Sequence, residues 1–230
     1  MKSTLEKATV MQNKTPLSYS RLSTFEQCPQ KFDYLYITKN IQDMGNEHTI
    51  YGNRVHESLE KYGKTGDVGE LTAETREWKG LVDGILNKDG DKYFEYQMAI
   101  DQDEKTCDWF DPNVWLRSIA DVLVIDGDKA YCFDWKTGKV RDNPTQLQLF
   151  SCMIMLHFPQ VNEVKTAFVW LKYGQITDVT YQRKHFSLLW NGLTTRFASV
   201  QDAVEIGSFK AKPSGLCRWC PAKEICADAK

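Results

Sequence analysis

Four cysteines near the two ends of the chain have the number and spacing of a metal site. Cys28 stands alone near the N-terminus, and Cys217, Cys220 and Cys226 form a C-x2-C-x5-C motif near the C-terminus. Four thiolates are the ligands of tetrahedral zinc sites and of iron–sulfur clusters. The pattern predicts a metal site that ties the two ends together, with zinc and iron–sulfur both open on chemical grounds. The alternative is a set of free, reduced thiols.

A second group of residues, in the middle of the chain, could hydrolyse a phosphodiester. Asp121 interrupts the apolar run IADVLVI, and Asp134 and Lys136 stand two apart in the segment AYCFDWK. Side chains two apart in a strand share a face, and a hairpin would bring the two carboxylates together. Such a pair suits Mg²⁺ or Mn²⁺, and a lysine beside it can orient or deprotonate a water. The alternative, a surface hairpin with scattered charges, leaves a carboxylate inside an apolar run, which is costly unless it is paired or metal-bound.

The elements that position these residues follow from hydrophobic periodicity, capping residues and turn signals. The pattern predicts helices over 18–36 (broken at Pro29, directly after Cys28), 52–62, 72–86, 144–157 and 186–205. It predicts strands over 93–100, 114–126, 130–136, 164–173 and 176–182, with a hairpin turn at 126–129. This order predicts a mixed α/β domain rather than a regular βαβ array. Residues 1–17 are expected to be a flexible N-terminus and 18–230 a single domain.

Composition limits the partners that the chain can have. The net charge is −2 and the sequence pI is about 6.1, so overall charge gives no support to nucleic-acid binding. Any such binding must come from a local basic patch. Two segments lean basic, one with Lys136, Lys139 and Arg141, and one with Lys210, Lys212, Arg218, Lys223 and Lys230.

Hydropathy and cysteine usage bear on the compartment. The sequence has no apolar run of about 18 residues and no apolar segment at its N-terminus, so neither a membrane partner nor a secretory signal is expected. Seven cysteines are an odd number, which favours thiols or metal ligands over a disulfide scaffold. We therefore expect a cytoplasmic protein, in which Cys107, Cys132 and Cys152 are buried thiols.

Six sequence elements, in order, resemble the PD-(D/E)XK nuclease superfamily, in the RecB-like exonuclease branch that includes CRISPR-associated nucleases. They cover about residues 18 to 226 and comprise SYSRLSTFEQCPQKFDYLY, G-N-R-V-H-E at 52–57, Asp121, D-W-K at 134–136, Q-L-Q-L-F at 146–150 and the C-terminal cysteine motif. The resemblance implies a restriction-endonuclease-like core, with a central mixed sheet flanked by helices and the termini joined by a metal cluster.

The resemblance also implies a role for individual residues. Metal ligands would be His56, reaching from a helix, the carboxylates of Asp121 and Asp134, and the Trp135 carbonyl. Lys136 would be the catalytic lysine, and Gln146 would contact substrate near the metal. Taken alone, His56 would be a solvated or hydrogen-bonded residue and Gln146 part of a helix face that packs on the sheet.

Three further positions are matched loosely or depart from the family pattern. Glu95 matches an additional acidic residue on the first strand only loosely. Phe150 stands where the family has the tyrosine of Q-x-x-x-Y, and Ser118 stands where it often has glycine. The aromatic residues that could stack nucleic-acid bases or belong to the core are Trp109, Phe110, Trp115, Trp135 and Trp170.

For the cysteines, the resemblance favours a [4Fe-4S] cluster over zinc, formed by Cys28 and the C-terminal segment 207–230. The implied function is a Mg²⁺- or Mn²⁺-dependent exonuclease that degrades single-stranded DNA ends. Recombination, repair or CRISPR adaptation in a bacterium, archaeon or phage would each fit, with the chain acting alone or with a protein partner. The alternatives are an endonuclease, and a non-catalytic nucleic-acid-binding or structural iron–sulfur subunit of a larger DNA-processing complex.

Overall fold

The computed structural model describes residues 16–42, 45–141 and 143–229, which divide into two compact units. The sheet unit contains residues 45–98 and 118–193, and the terminal unit contains 16–42, 99–117 and 194–229. Most of the predicted flexible N-terminus, residues 1–15, lies outside the described residues. The prediction of one domain over 18–230 stays a prediction.

Five strands form one mixed sheet in the order β1-β2-β3-β4-β5. The strand bounds are Asp91–Ile100 (β1), Leu116–Asp126 (β2), Lys129–Lys136 (β3), Glu163–Trp170 (β4) and Gln175–Gln182 (β5). The pairs β2–β3 and β4–β5 are antiparallel, whereas β3–β4 is parallel. The hairpin turn lies where it was predicted, with Asp126 paired to Lys129 and Gly127 at φ 58°. The predicted mixed α/β fold is confirmed.

The described sequence contains six α-helices. Their bounds are Tyr19–Gln27 (α1), Pro29–Phe32 (α2), Glu47–Thr65 (α3), Lys79–Leu86 (α4), Pro144–His157 (α5) and Phe186–Ile206 (α6). A π-turn covers Asp33–Ile37, and short 3-10 turns cover Val68–Glu70, Arg76–Trp78, Leu171–Tyr173, Arg183–His185 and Cys217–Trp219. In the described part of the chain, no helix has the length and apolarity needed to cross a bilayer.

The predicted break after the first helix is present at Cys28. Ser18 caps α1 by accepting the backbone N–H of Arg21, and Cys28 is extended at φ −163° and ψ 108°. Pro29 then occupies the first turn of α2, where its missing N–H costs no hydrogen bond. The half-buried Cys28 thiol therefore lies at a junction between two helices.

The helix predicted over 72–86 forms only from residue 79, after a 3-10 turn. The buried Thr75 hydroxyl lies 2.8 Å from the Ser58 hydroxyl, and the Thr75 N–H donates to the Thr72 hydroxyl at 3.2 Å. Such side-chain bonds compete with the helical backbone pattern and keep this segment out of the α conformation. The hydrophobic periodicity of the segment gave no sign of them.

The main core of the sheet unit lies between helices α3 and α4 and one face of the sheet. From β3 it takes Phe133 and Trp135, and the other core residues include Val55, Leu59, Val82, Ile85, Val122, Val124, Ala167 and Val169. Helix α5 packs against β3 and β4. Because strand side chains alternate, Asp134 and Lys136 lie on the face opposite Trp135.

Replacing each of two glycines of the sheet unit with alanine should change the stability of the protein in opposite directions. Gly90 has φ +112°, and a Cβ there would lie 2.4 Å from the Ile125 carbonyl oxygen, whereas a Cβ on Gly84 in α4 meets nothing within 4 Å. We expect Gly90→Ala to lower the free energy of unfolding by about 1–3 kcal/mol. We expect Gly84→Ala to raise it by about 0.5–1 kcal/mol. Urea denaturation of both variants measures this difference, and equal effects would contradict it.

Candidate active site

The β2–β3 hairpin places two carboxylates at the same end of the strand pair. Val122 lies opposite Phe133. Because the strands are antiparallel, Asp121, just before Val122, and Asp134, just after Phe133, lie at the same end of the pair. Both are buried, at 7% and 5% exposure. The Trp135 N–H donates to Asp121 Oδ2 at 2.6 Å, which fixes the Asp121 side chain against β3.

Helix α3 brings His56 to Asp121. Its Nδ1 lies 3.3 Å from Asp121 Oδ1, and its Nε2 lies 3.0 Å from the Trp135 carbonyl oxygen. Burial favours the neutral imidazole, but the hydrogen bond to Asp121 and the nearby negative charges outweigh it and raise the pKa of His56 to about 8. His56 therefore binds the same two acceptors, Asp121 and the Trp135 carbonyl, that are predicted to bind a metal.

Glu95 on β1 is the third member of this group. One ligand atom each of His56, Glu95 and Asp121 lies within 4.8 Å of the others. Glu95 has φ 49°, a conformation that is uncommon for a residue with a side chain and that interrupts the alternation of β1. Burial, followed by the charge of Asp121, raises the pKa of Glu95 to about 7. A residue held at such a positive φ often marks a functional position.

Asp134 belongs to a second, adjoining group. Its Oδ2 contacts the Lys136 ammonium, and its Oδ1 accepts the Gln146 side-chain N–H at 3.1 Å. Gln146 in turn accepts from Lys136 Nζ at 3.2 Å, so one amide fixes both residues. Burial raises the pKa of Asp134 to about 6, against the opposing charge of Lys136. The Lys136 ammonium also lies 4.7 Å from the Phe168 ring centroid.

The structure thus brings together all the site residues predicted in the middle of the chain. The predicted metal set and the observed three-residue group share His56 and Asp121, while the observed group contains Glu95 instead of Asp134. Sequence reasoning matched Glu95 only loosely, because the unusual φ that places it is not visible in residue types. Phe150 is 3% exposed and packs in the interior. The catalytic and ligand roles of these residues stay predictions.

In the terminal unit, the four predicted cysteine ligands line one cavity of about 230 Å³, together with other residues that include Tyr34, Lys212 and Trp219. The Lys212 N–H lies 3.4 Å from Cys28 Sγ, and the Ser214 N–H lies 3.3 Å from Cys217 Sγ. Backbone N–H groups from the 212–214 segment therefore lie beside two of the four predicted ligand sulfurs.

The remaining cysteines and aromatic residues separate by burial. Cys132 and Cys152 are buried, and burial raises the pKa of Cys152 to about 12, so that it stays a thiol. Trp135 and Trp170 are core residues at 2% and 4% exposure. The other residues are partly or fully accessible, namely Cys107, Trp109, Phe110 and Trp115.

Comparison with known proteins identifies the family. The sequence profile of the PD-(D/E)XK nuclease superfamily matches residues 16–227, which is most of the chain. The chain belongs to this superfamily. The hairpin with Asp121, Asp134 and Lys136 is consistent with that assignment, as is the five-stranded mixed sheet.

One solved structure agrees at the level of the fold. The crystal structure of a "Putative exonuclease" from Eubacterium rectale aligns with a TM-score of 0.54 and 11% identity, covering 98% of this chain and 94% of that one. The crystal structure of SSO0001 aligns over 100% of both chains, with a TM-score of 0.43 and 10% identity. No curated protein matches the sequence significantly.

The raised pKa values predict how the metal-free protein responds to pH. The pKa values of Glu95, Asp134 and His56 rise from 4.5, 3.8 and 6.5 to about 7, 6 and 8. All three groups hold protons more tightly when folded, so their contribution to stability falls as pH rises between about 4 and 8. We expect the Tm in EDTA to fall over this range, and the fall to be shallower in Glu95→Gln. A Glu95→Gln profile that is parallel to the parent profile would contradict the assignment.

Proposed function

We propose that this chain is a Mg²⁺- or Mn²⁺-dependent DNA exonuclease that degrades single-stranded ends. The observation that carries the proposal is the convergence of buried acidic groups, an imidazole and a lysine at one end of the β2–β3 hairpin. Membership of a nuclease superfamily supports the reaction class. A role in recombination, repair or CRISPR adaptation inside the cell is consistent with this activity.

The donor set suits a hard divalent cation. Asp121, Asp134, His56 and the Trp135 carbonyl would hold it, with Glu95 adjoining, since carboxylate and carbonyl oxygens are the ligands that Mg²⁺ and Mn²⁺ prefer. Burial, followed by the charge of Asp121, raises the pKa of Glu95 to about 7, and a bound cation would favour the charged form of this carboxylate. When bound, such a metal stabilises charge on the phosphate and lowers the pKa of a water.

Lys136 and Gln146 supply the rest of the chemistry. As an ammonium group, Lys136 can donate to an attacking water or to a phosphate oxygen that gains charge. Gln146 bonds to both Lys136 and Asp134 and therefore holds the donor at a fixed place beside the carboxylate. With Phe150 in place of the family tyrosine, this helix offers no hydroxyl at that position, and we assign positioning to Gln146 alone.

We also propose that the four cysteines of the terminal unit hold a [4Fe-4S] cluster. The four cysteines line one cavity of about 230 Å³ in the terminal unit, so they are placed to share one metal group. Four thiolates suit zinc as well as a cluster, and the sequence resemblance favours the cluster. The cluster would join the α1–α2 junction to the C-terminal segment.

Cleavage of end-labelled single-stranded DNA tests the activity. We expect anaerobically purified protein to degrade it with Mn²⁺ or Mg²⁺ but not with EDTA, and labels at each end to give the polarity. Lys136→Ala should slow cleavage by roughly 10²- to 10⁴-fold, whereas Lys129→Ala, at the exposed turn at the other end of the hairpin, should not. Cleavage of closed circular strands would indicate an endonuclease. Binding without cleavage under every metal would favour a non-catalytic subunit.

The two metal sites use different ligands and should fail independently. We expect Asp134→Ala to abolish cleavage while the visible absorbance of the cluster and its iron and sulfide content are retained. Cys220→Ala should lose the colour together with solubility, and Cys107→Ala serves as the control that keeps both. A colourless, zinc-containing and fully stable protein would overturn the cluster assignment.

A further inference from the structure

The C-terminal segment carries exposed apolar side chains that are ligands of neither proposed metal site. Leu216, Trp219 and Ile225 are 55%, 76% and 49% exposed, although they lie within ten residues of one another. Large apolar side chains that remain exposed in one short segment are typical of a binding surface. We call residues 208–225 the C-terminal surface.

The charge of this surface is opposite to that of the chain. Between residues 208 and 225 the sequence contains four basic residues and one acidic residue, Glu224, although the net charge of the protein is −2. The four basic residues are all exposed, namely Lys210, Lys212, Arg218 and Lys223. The Lys212 ammonium donates to the Glu26 carbonyl at 2.8 Å, which anchors this part of the segment to α1.

Trp219 and Arg218 form a pair suited to a nucleotide. The Arg218 guanidinium lies 5.5 Å from the centroid of the Trp219 ring, within the range of a cation–π contact. An exposed indole beside an arginine can stack on a base, while the guanidinium and neighbouring lysines bind phosphates. Stacking tolerates any base, so such a surface binds a strand without reading its sequence.

We propose that the C-terminal surface is a binding site for single-stranded DNA, in which a base stacks on Trp219 and Arg218 and Lys223 contact phosphates. The proposal rests on the proposed function, because it gives the nuclease a place to hold the strand that it degrades. It also explains how a protein with a net negative charge could bind a polyanion, because positive side chains are concentrated in the C-terminal surface.

A second aromatic–arginine group in the terminal unit lies in a segment of the opposite charge. The Arg117 guanidinium lies 4.9 Å from the Trp109 ring and 5.8 Å from the Phe110 ring, and Phe110 is 85% exposed. However, residues 101–111 contain five acidic residues and one lysine. Phosphates would be repelled there, so we do not expect the same pairing of side chains to bind DNA at this place.

Phe110 therefore provides a matched control for Trp219. The measurement is fluorescence anisotropy of a labelled oligo(dT) in EDTA, where binding is observed without hydrolysis. We expect Trp219→Ala to weaken binding roughly 5- to 100-fold, Trp219→Phe to retain most of it, and Phe110→Ala to leave it unchanged. Arg218→Ala should reduce the slope of log affinity against log salt by about 0.7, the value for one phosphate contact.

The outcomes separate this surface from the nuclease activity. If Trp219→Ala binds within twofold of the parent while its visible absorbance is intact, the surface proposal fails, even where Lys136-dependent cleavage is present. If no metal supports cleavage but Trp219→Ala still weakens binding, the nuclease proposal fails and the surface stands. Equal losses in Phe110→Ala and Trp219→Ala, or a Trp219-dependent dimer without DNA binding, would overturn the surface. Should Trp219→Ala fail to fold, Arg218→Glu decides, since it changes only an exposed side chain.

Discussion

The hydrogen bond from the Trp135 N–H to the buried Asp121 carboxylate is the constraint on which the rest of the candidate site depends. A carboxylate at this depth is costly unless strong donors compensate it. Asp121 has two, the Trp135 N–H on one oxygen and the His56 ring on the other. These contacts join β2, β3 and α3 at one point. Glu95 lies beside this carboxylate, and burial, followed by the charge of Asp121, raises its pKa to about 7.

Trp135 is able to play this part because its side chain is fixed elsewhere. The indole is buried in the core between the sheet and helices α3 and α4. Its backbone N–H then donates to the Asp121 carboxylate, and its backbone carbonyl accepts from the His56 ring. Alternation along β3 places Asp134 and Lys136 on the opposite face, beside Gln146 of α5. One face of β3 therefore contributes Phe133 and Trp135 to the core, and the other contributes Asp134 and Lys136 to the candidate site.

How much of this was predictable depends on whether the signal is local. Local signals predicted the hairpin from its turn residues and the break at Cys28 from Pro29. Strand alternation then predicted that Asp121 and Asp134 lie at one end of the hairpin. The approach of His56 depended on a family resemblance, since no local pattern connects a helix at residue 56 with a strand at residue 121. Two features were hidden, namely the left-handed φ of Glu95 and the hydroxyl cluster around Thr75 that shortens α4. The hydroxyl cluster includes a contact between Ser58 and Thr75, which are 17 residues apart, and residue types alone do not encode the φ of Glu95.

The joining of the chain ends shows how such long-range contacts can prepare a ligand site. Glu26 forms two hydrogen bonds with the Arg196 guanidinium, at 2.6 and 2.7 Å, and its carbonyl accepts from Lys212. These bonds hold the segments that carry Cys28 and the C-terminal cysteines, and the Lys212 N–H already bonds to the Cys28 sulfur. Closing a loop of this length has an entropic cost that grows only slowly with its length. A metal bound by the four cysteines would therefore add to the protein contacts that hold the same two segments together, and both would offset that cost.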